Sequence, residues 1–323
     1  MQVSESAPAR LVFRDREEFR RFHGQEARSF AVVGLLYAVL FCALAVAYWA
    51  ISQEHLALTI AFGVLAFTLI GWAQYSLGNG LHEAVHHNLK NRKSDFVASM
   101  LTAYPIGLTM GYRRVHLLHH RYLGTDRDPD RPAYINFPRT RGQFVLRLLK
   151  NASGIPATIQ FVQTMLEKRT AEASGTLRSD LLWFAGVQVI LIVSFWATFG
   201  NPIYYVIFWA MPVATVGKLL SSTRLMCEHG SPTHEWVVRT IDGDRWQTWL
   251  MGAFDFNYHG EHHLFPSVPY AHLERLYRRH RAYVNGHPEY RPFDGRLEYF
   301  TGGYLLLLTQ WFRSLPWRTN AAS

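Results

Sequence analysis

Three long stretches of the chain carry no Asp, Glu, Lys or Arg: Ser29 to Gln53, Leu56 to Leu81, and Leu181 to Gly217. The third is interrupted by Gly200-Asn201-Pro202, a strong turn signal. A helix needs about 20 mostly apolar residues to cross about 30 Å of hydrocarbon. The first two stretches each supply one such span. The third supplies two, about 181–199 and 202–220, with the Gly-Asn-Pro as a tight turn. The pattern therefore predicts two helical hairpins.

Weaker segments lie between and after them. Phe96 to Tyr112 is uncharged but short and contains Pro105 and Gly107, which suits a re-entrant or interfacial piece better than a span. Gly302 to Phe312 is too short to cross and reads as a helix at the interface or on the core. Glu167 to Ser179 is polar and reads as a flexible link. No internal repeat is visible.

Charge orients the hairpins. Arg10, Arg14, Arg16, Arg20, Arg21 and Arg28 precede the first span, and the link Gln53-Glu54-His55 has no Lys or Arg. Lys90, Arg92 and Lys93 follow the second span. Lys150, Lys168, Arg169 and Arg178 precede the third, and Lys218 and Arg224 follow the fourth. All fall on one side, which the positive-inside rule makes cytoplasmic. This accounts for the net charge of +9 without a nucleic-acid partner. No secretory signal peptide is expected in the Arg-rich N-terminal segment. With 49% hydrophobic and 18% charged residues, the chain is neither disordered nor disulfide-stapled. Its two cysteines, Cys42 and Cys227, form no CxxC pair.

The chemistry lies in the 16 histidines. Nine fall in three clusters: His82, His86 and His87; His116, His119 and His120; His259, His262 and His263. Spacings of three and four share a helix face, so HxxHH is expected to aim three imidazoles at one point. Imidazole binds iron, zinc and copper. His23, His55, His234, His272, His280 and His287 read instead as satisfied or surface groups. The three clusters follow the second span, lie in the next cytoplasmic segment, and follow the fourth span, so they can converge. Eight or nine ligands exceed the needs of one ion and suggest two. A haem or transport site would place its ligands within the spans. Two irons fit best, although spacing alone does not separate iron from zinc.

In these motifs the sequence resembles the membrane fatty acid desaturase superfamily, which includes desaturases, hydroxylases and ketolases. The resemblance runs from about His82 to Leu276 and is carried by HEAVHHN, HLLHHRYLGTDRDPD and NYHGEHHLFPSVPY. It implies an all-α integral membrane protein, with four transmembrane helices under a cytoplasmic helical cap that holds a di-iron site. One domain, 1–323, is then expected. Its parts are a cytoplasmic segment to about 28, a first hairpin at 29–81, cap with boxes one and two at 82–180, a second hairpin at 181–220, and cap with box three at 221–323. The implied metal ligands are His82, His86, His87, His116, His119, His120, His259, His262 and His263. His229, in the segment Arg224 to His229, is added as a further ligand. His87 is either a ligand or a neighbour.

Glu83, Asp126, Asp128, Glu228 and Glu261 are candidates to accept the second N–H of a ligating histidine. Direct ligation by Glu83 or Glu261 is disfavoured by their helical offset. The implied activity is O2-dependent desaturation of a fatty acyl chain, as acyl lipid or acyl thioester, with two Fe2+ ions. The alternative is hydroxylation or ketolation of a carotenoid, sphingolipid or other apolar metabolite. The chain has neither a dinucleotide fingerprint nor a cysteine cluster, so an external electron-transfer protein of ferredoxin or cytochrome type is expected. Trp183, Phe184, Trp196 and Trp209 are candidate walls of the substrate tunnel, or else lipid-facing anchors. The expected location is a bacterial inner membrane, with the site facing the cytoplasm.

Overall fold

A computed structural model of the chain describes residues 12–13, 17–18, 22, 26–89, 91–170 and 175–317. Among the described residues, four helices are long and apolar enough to cross a membrane. Helix α1 (Glu26–Ile51) and helix α2 (Leu56–Val85) form the first hairpin. Helix α7 (Gly175–Phe199) and helix α8 (Ile203–His229) form the second. At its turn Gly200 adopts a left-handed φ of 72°, and Asn201 Oδ1 accepts from the Ile203 N–H at 2.9 Å.

Two of these helices outrun the expected spans. The 30 residues of α2 extend about 45 Å, against about 30 Å of hydrocarbon. Its last turn, with His82, therefore stands beyond the apolar layer. Helix α8 continues past 220 to His229, so the segment expected to follow the fourth span belongs to it. Two π-helical stretches, Val206–Ala210 and Val213–Gly217, flank Pro212. Proline has no N–H to close a normal turn, and the wide turns accommodate the gap. Here the spans approach closely: a Cβ on Gly71 of α2 would stand 2.7 Å from the Pro212 carbonyl oxygen and 2.6 Å from Val216 Cβ.

The connecting segments are also mainly helical. Helices α3 (Arg92–Thr102), α4 (Tyr112–Tyr122), α5 (Arg141–Ala152) and α6 (Ile155–Thr170) lie between the hairpins. Asn91 caps α3 by accepting from the Lys93 and Ser94 N–H groups, and Thr140 caps α5. Phe96 to Tyr112 is thus the end of α3, a short turn at Tyr104–Ile106 and the start of α4, with no span. Helices α6 and α7 enter the expected link from both sides; positions 171–174 lie outside the described residues. So do Arg10, Arg14, Arg16, Arg20, Arg21 and Lys90 of the basic clusters.

After α8 come strand β1 (Val238–Asp242) and helices α9 (Arg245–Leu250), α10 (His259–Leu264) and α11 (Tyr270–Gly286). Strand β2 (Leu297–Thr301) and helix α12 (Gly303–Ser314) complete the described chain. The all-α architecture carries one small addition, a parallel pair in which Val238 faces Leu297 and Asp242 faces Thr301. Helix α12 packs Tyr304, Leu307 and Trp311 into a core with Phe144, Met226, Ile241 and Met251.

One polar ladder holds the later segments onto the spans. Trp72, Tyr75 and Asn79 share a face of α2 and donate to the carbonyls of Trp249, Met251 and Gly252, at 3.0, 2.9 and 2.8 Å. Gly252, at φ 126°, leaves room that a Cβ would fill, 2.1 Å from Asn79 Nδ2. The loop before box three is thereby fixed one turn below box one.

Candidate metal centre

Four segments bring nine histidines into two adjoining groups. One contains His82, His86, His116, His120 and His262; the other contains His119, His229, His259 and His263. Within each, one nitrogen from every ring lies within 4.8 Å of all the others. His82 and His86 come from the end of α2, His116, His119 and His120 from α4, His229 from the end of α8, and the rest from α10.

The HxxHH boxes do not each aim at one point, as their spacing suggested. His116 and His120 enter one group and His119 the other; His259 and His263 enter one and His262 the other. At about 100° per residue, positions four apart differ by about 40°, whereas the third histidine is rotated about 60° to the opposite side. Each box therefore gives an i,i+4 pair to one group and a single ring to its neighbour.

His87 joins neither group. The α2 helix ends just before it. The Asn88 N–H reaches the Glu83 carbonyl and the His87 N–H reaches that of Ala84, with His87 at φ 58°. This is a Schellman cap with histidine in the left-handed position that glycine usually takes. The reversal swings the side chain away, and its Nδ1 lies 2.8 Å from Asp95 Oδ2. Asn88 then donates to the Pro266 carbonyl at 3.1 Å, tying box one to the end of box three.

The donor set fits metal. Burial pushes His86 down to about 3 and holds His116, His120, His259, His262 and His263 well below the usual imidazole range, with neighbouring rings adding to the effect. These rings are neutral at pH 7, as ligation requires. Nε2 atoms face one another at 2.8 Å in His86–His116 and His229–His259, and at 3.0 Å in His120–His262 and His259–His263. His229 donates its Nδ1–H to the Val237 carbonyl at 3.1 Å, so its Nε2 presents a lone pair. Ligands at right angles on bonds of about 2.1 Å stand about 3.0 Å apart.

The carboxylates divide. His119 Nδ1 donates to the buried Asp128 at 2.9 Å; Asp128 also accepts from Tyr134 and the Asp130 N–H. Glu228 Oε2 lies 3.5 Å from His259 Nδ1. Glu83 instead accepts from Asn88 and the Tyr270 N–H, and Glu261 from Thr240 and His280. Neither is in a histidine group. Asp126 is exposed and pairs with Arg131.

Apolar rings complete the enclosure: Phe256 meets His82 edge-on at 4.3 Å, and Tyr112 stacks on His116 at 5.6 Å. The spacing argument did not single out His280, which is wholly buried against Glu261, nor Arg224 as the partner of Glu228 at 2.9 Å. Of the candidate tunnel walls, Trp183 and Trp196 face outward, more than half exposed. Trp209 is buried and donates to the Pro105 carbonyl at 2.7 Å, and Phe184 lies near Phe161 at 6.2 Å.

A multi-pass helical membrane protein with clustered, buried histidines compatible with a metal site defines a histidine-box membrane protein. The chain belongs to the fatty acid desaturase family, whose profile matches residues 58–296. It is 28% identical over 233 residues to the dihydrorhizobitoxine desaturase of Bradyrhizobium elkanii, covering 64% of each chain. It is 25% identical over 254 residues to the sphingolipid delta(4)-desaturase of Drosophila melanogaster, covering 70% of this chain and 68% of that one. The matches thus span about two thirds of these relatives. With the four apolar helices, family membership fits a multi-pass membrane protein.

Proposed function

We propose that the protein is an O2-dependent desaturase that removes two vicinal hydrogens from a fatty acyl chain at a pair of iron ions. The observation that carries this reading is the convergence of nine buried or half-buried histidines into two adjoining groups, in a chain of the fatty acid desaturase family. His82, His86, His116, His120 and His262 would hold one ion, and His119, His229, His259 and His263 the other. The metal pair supplies the redox chemistry with O2. His87 is a neighbour that shapes the end of α2.

The balance requires four electrons to reduce O2 to two waters. Two come from the C–H bonds that become the double bond, and two, with two protons, come from outside. The proposed source is a ferredoxin or cytochrome-type protein docking on the cytoplasmic side of a bacterial inner membrane. The chain's own residues position and exclude. Asp128 and the Val237 carbonyl fix the tautomers of His119 and His229. Phe256 and Tyr112 keep water from the rings they cover. The ladder from α2 to residues 249–252 keeps box three over box one. The helical segments 82–180 and 221–323 together act as the cap.

The test is metal content of the purified protein, with lipid profiling of cells that express it. About two irons per chain and an acyl product lighter by two hydrogens are expected. A product heavier by one oxygen would make it a hydroxylase. Zinc or haem in place of iron would overturn the reading.

A further inference from the structure

The two histidine groups differ in what stands behind them. In the four-histidine group, His119 is backed by Asp128 at 2.9 Å and His229 by the Val237 carbonyl at 3.1 Å. Glu228 Oε2 stands 3.5 Å from His259 Nδ1. In the five-histidine group, the buried Nδ1 atoms of His82 and His262 have no hydrogen-bond partner; in the four-histidine group His259 Nδ1 also makes no hydrogen bond, but it has the Glu228 carboxylate at ion-pair distance. Among the described residues no ion pair joins any of its five rings to a carboxylate.

Glu228 is held in place by residues that touch no histidine nitrogen. Its Oε1 receives Arg224 Nε at 2.9 Å and the Tyr304 hydroxyl at 3.3 Å, which leaves Oε2 on the His259 side. Arg224 is anchored in turn by Asn79 Oδ1 at 2.7 Å and the Tyr75 hydroxyl at 3.3 Å. Both anchors belong to the ladder on α2. The carboxylate, only 1% exposed, thus lies at the junction of α2, α8 and α12.

A carboxylate behind a ligating imidazole raises its basicity and fixes its ring, and loss of such a partner typically costs about 10–100-fold in metal affinity. We propose that the two groups bind metal unequally, the four-histidine group more tightly, and that Glu228, steered by Arg224 and Tyr304, is a positioning residue responsible for much of the difference. This rests on the two-metal reading above.

The test is release of iron from purified, iron-loaded protein to a ferrous chelator, followed by absorbance, with thermal unfolding measured alongside. The expected result is two phases of similar amplitude. Glu228→Gln should quicken the slow phase about 10–100-fold and leave the fast phase nearly unchanged, while the unfolding temperature falls because Arg224 loses its buried counter-charge. Glu228→Asp, which keeps the charge, should restore much of the slow phase. Tyr304→Phe, a milder change, should move the slow phase in the same direction by less and serves if the glutamine variant fails to accumulate. A single phase in the unaltered protein, or equal acceleration of both phases in the variants, overturns the inequality. Folded protein that retains no iron fails a different claim, the two-metal reading itself.

Discussion

The spans and the histidine layer are built inside out with respect to each other, and two helices pass from one regime to the other. The first half of α2 shows Ile60 and Val64 to the outside, more than half exposed. Its second half buries Gln74, Asn79, His82 and Glu83. Helix α8 repeats the change, from exposed Ile203 and Met211 to buried Glu228 and His229. The third span stays in the first regime: only 6% of its most apolar stretch is buried within the molecule. Lipid allows apolar side chains to face outward, so a span needs little of its own core. The histidine layer must desolvate polar rings, and this is tolerable only where each ring finds a hydrogen bond or a metal.

The sharpest way to break this comparison is to remove one ring. His262→Ala should lower turnover more than about 100-fold, beyond the loss typical of a supporting partner, and strip metal from the five-histidine group. Metal analysis and product formation check it, and full metal with unchanged turnover would refute it. A smaller effect is expected in the spans, at their tightest approach. Gly71→Ala presses a methyl onto the Pro212 carbonyl and Val216, and should destabilise the protein by about 1–3 kcal/mol, read as a lowered unfolding temperature in detergent. An unchanged unfolding temperature would show that the hairpins slide freely. The smallest effect belongs to His87→Gly. Glycine suits the left-handed cap, while the contact with Asp95 is lost, so stability should change by less than about 1 kcal/mol. Metal content should stay whole; loss of an ion would return His87 to the ligand set.

Much of this was legible in the chain. The uncharged runs marked all four spans, because hydrocarbon accepts no unpaired charge over that length. Their ends were less legible: α8 runs on to His229, since its last turns are amphipathic and paired with protein rather than lipid. The histidine boxes marked the site, but the fate of His87 was hidden. A box read as a continuous helix gives it a place that the cap at Asn88 removes. The two readings of the span aromatics, tunnel wall or lipid-facing anchor, stayed open for a related reason. An uncharged span does not reveal which face meets protein, so Trp196 and the buried Trp209 look alike in sequence.

The sequence by itself determined the class of the molecule: four apolar helices of bilayer length, and histidines spaced to share helix faces. Both follow from short-range rules, the rise of a helix and the angle between its residues. Only the tertiary structure decided which histidine goes to which group, that box two and box three are each divided, and that Asp128 and Glu228 stand behind one group while Glu83 and Glu261 turn elsewhere. Those outcomes depend on how α2, α4, α8 and α10 meet. That meeting is set by contacts as remote in sequence as Trp72 with Trp249, which no local spacing records.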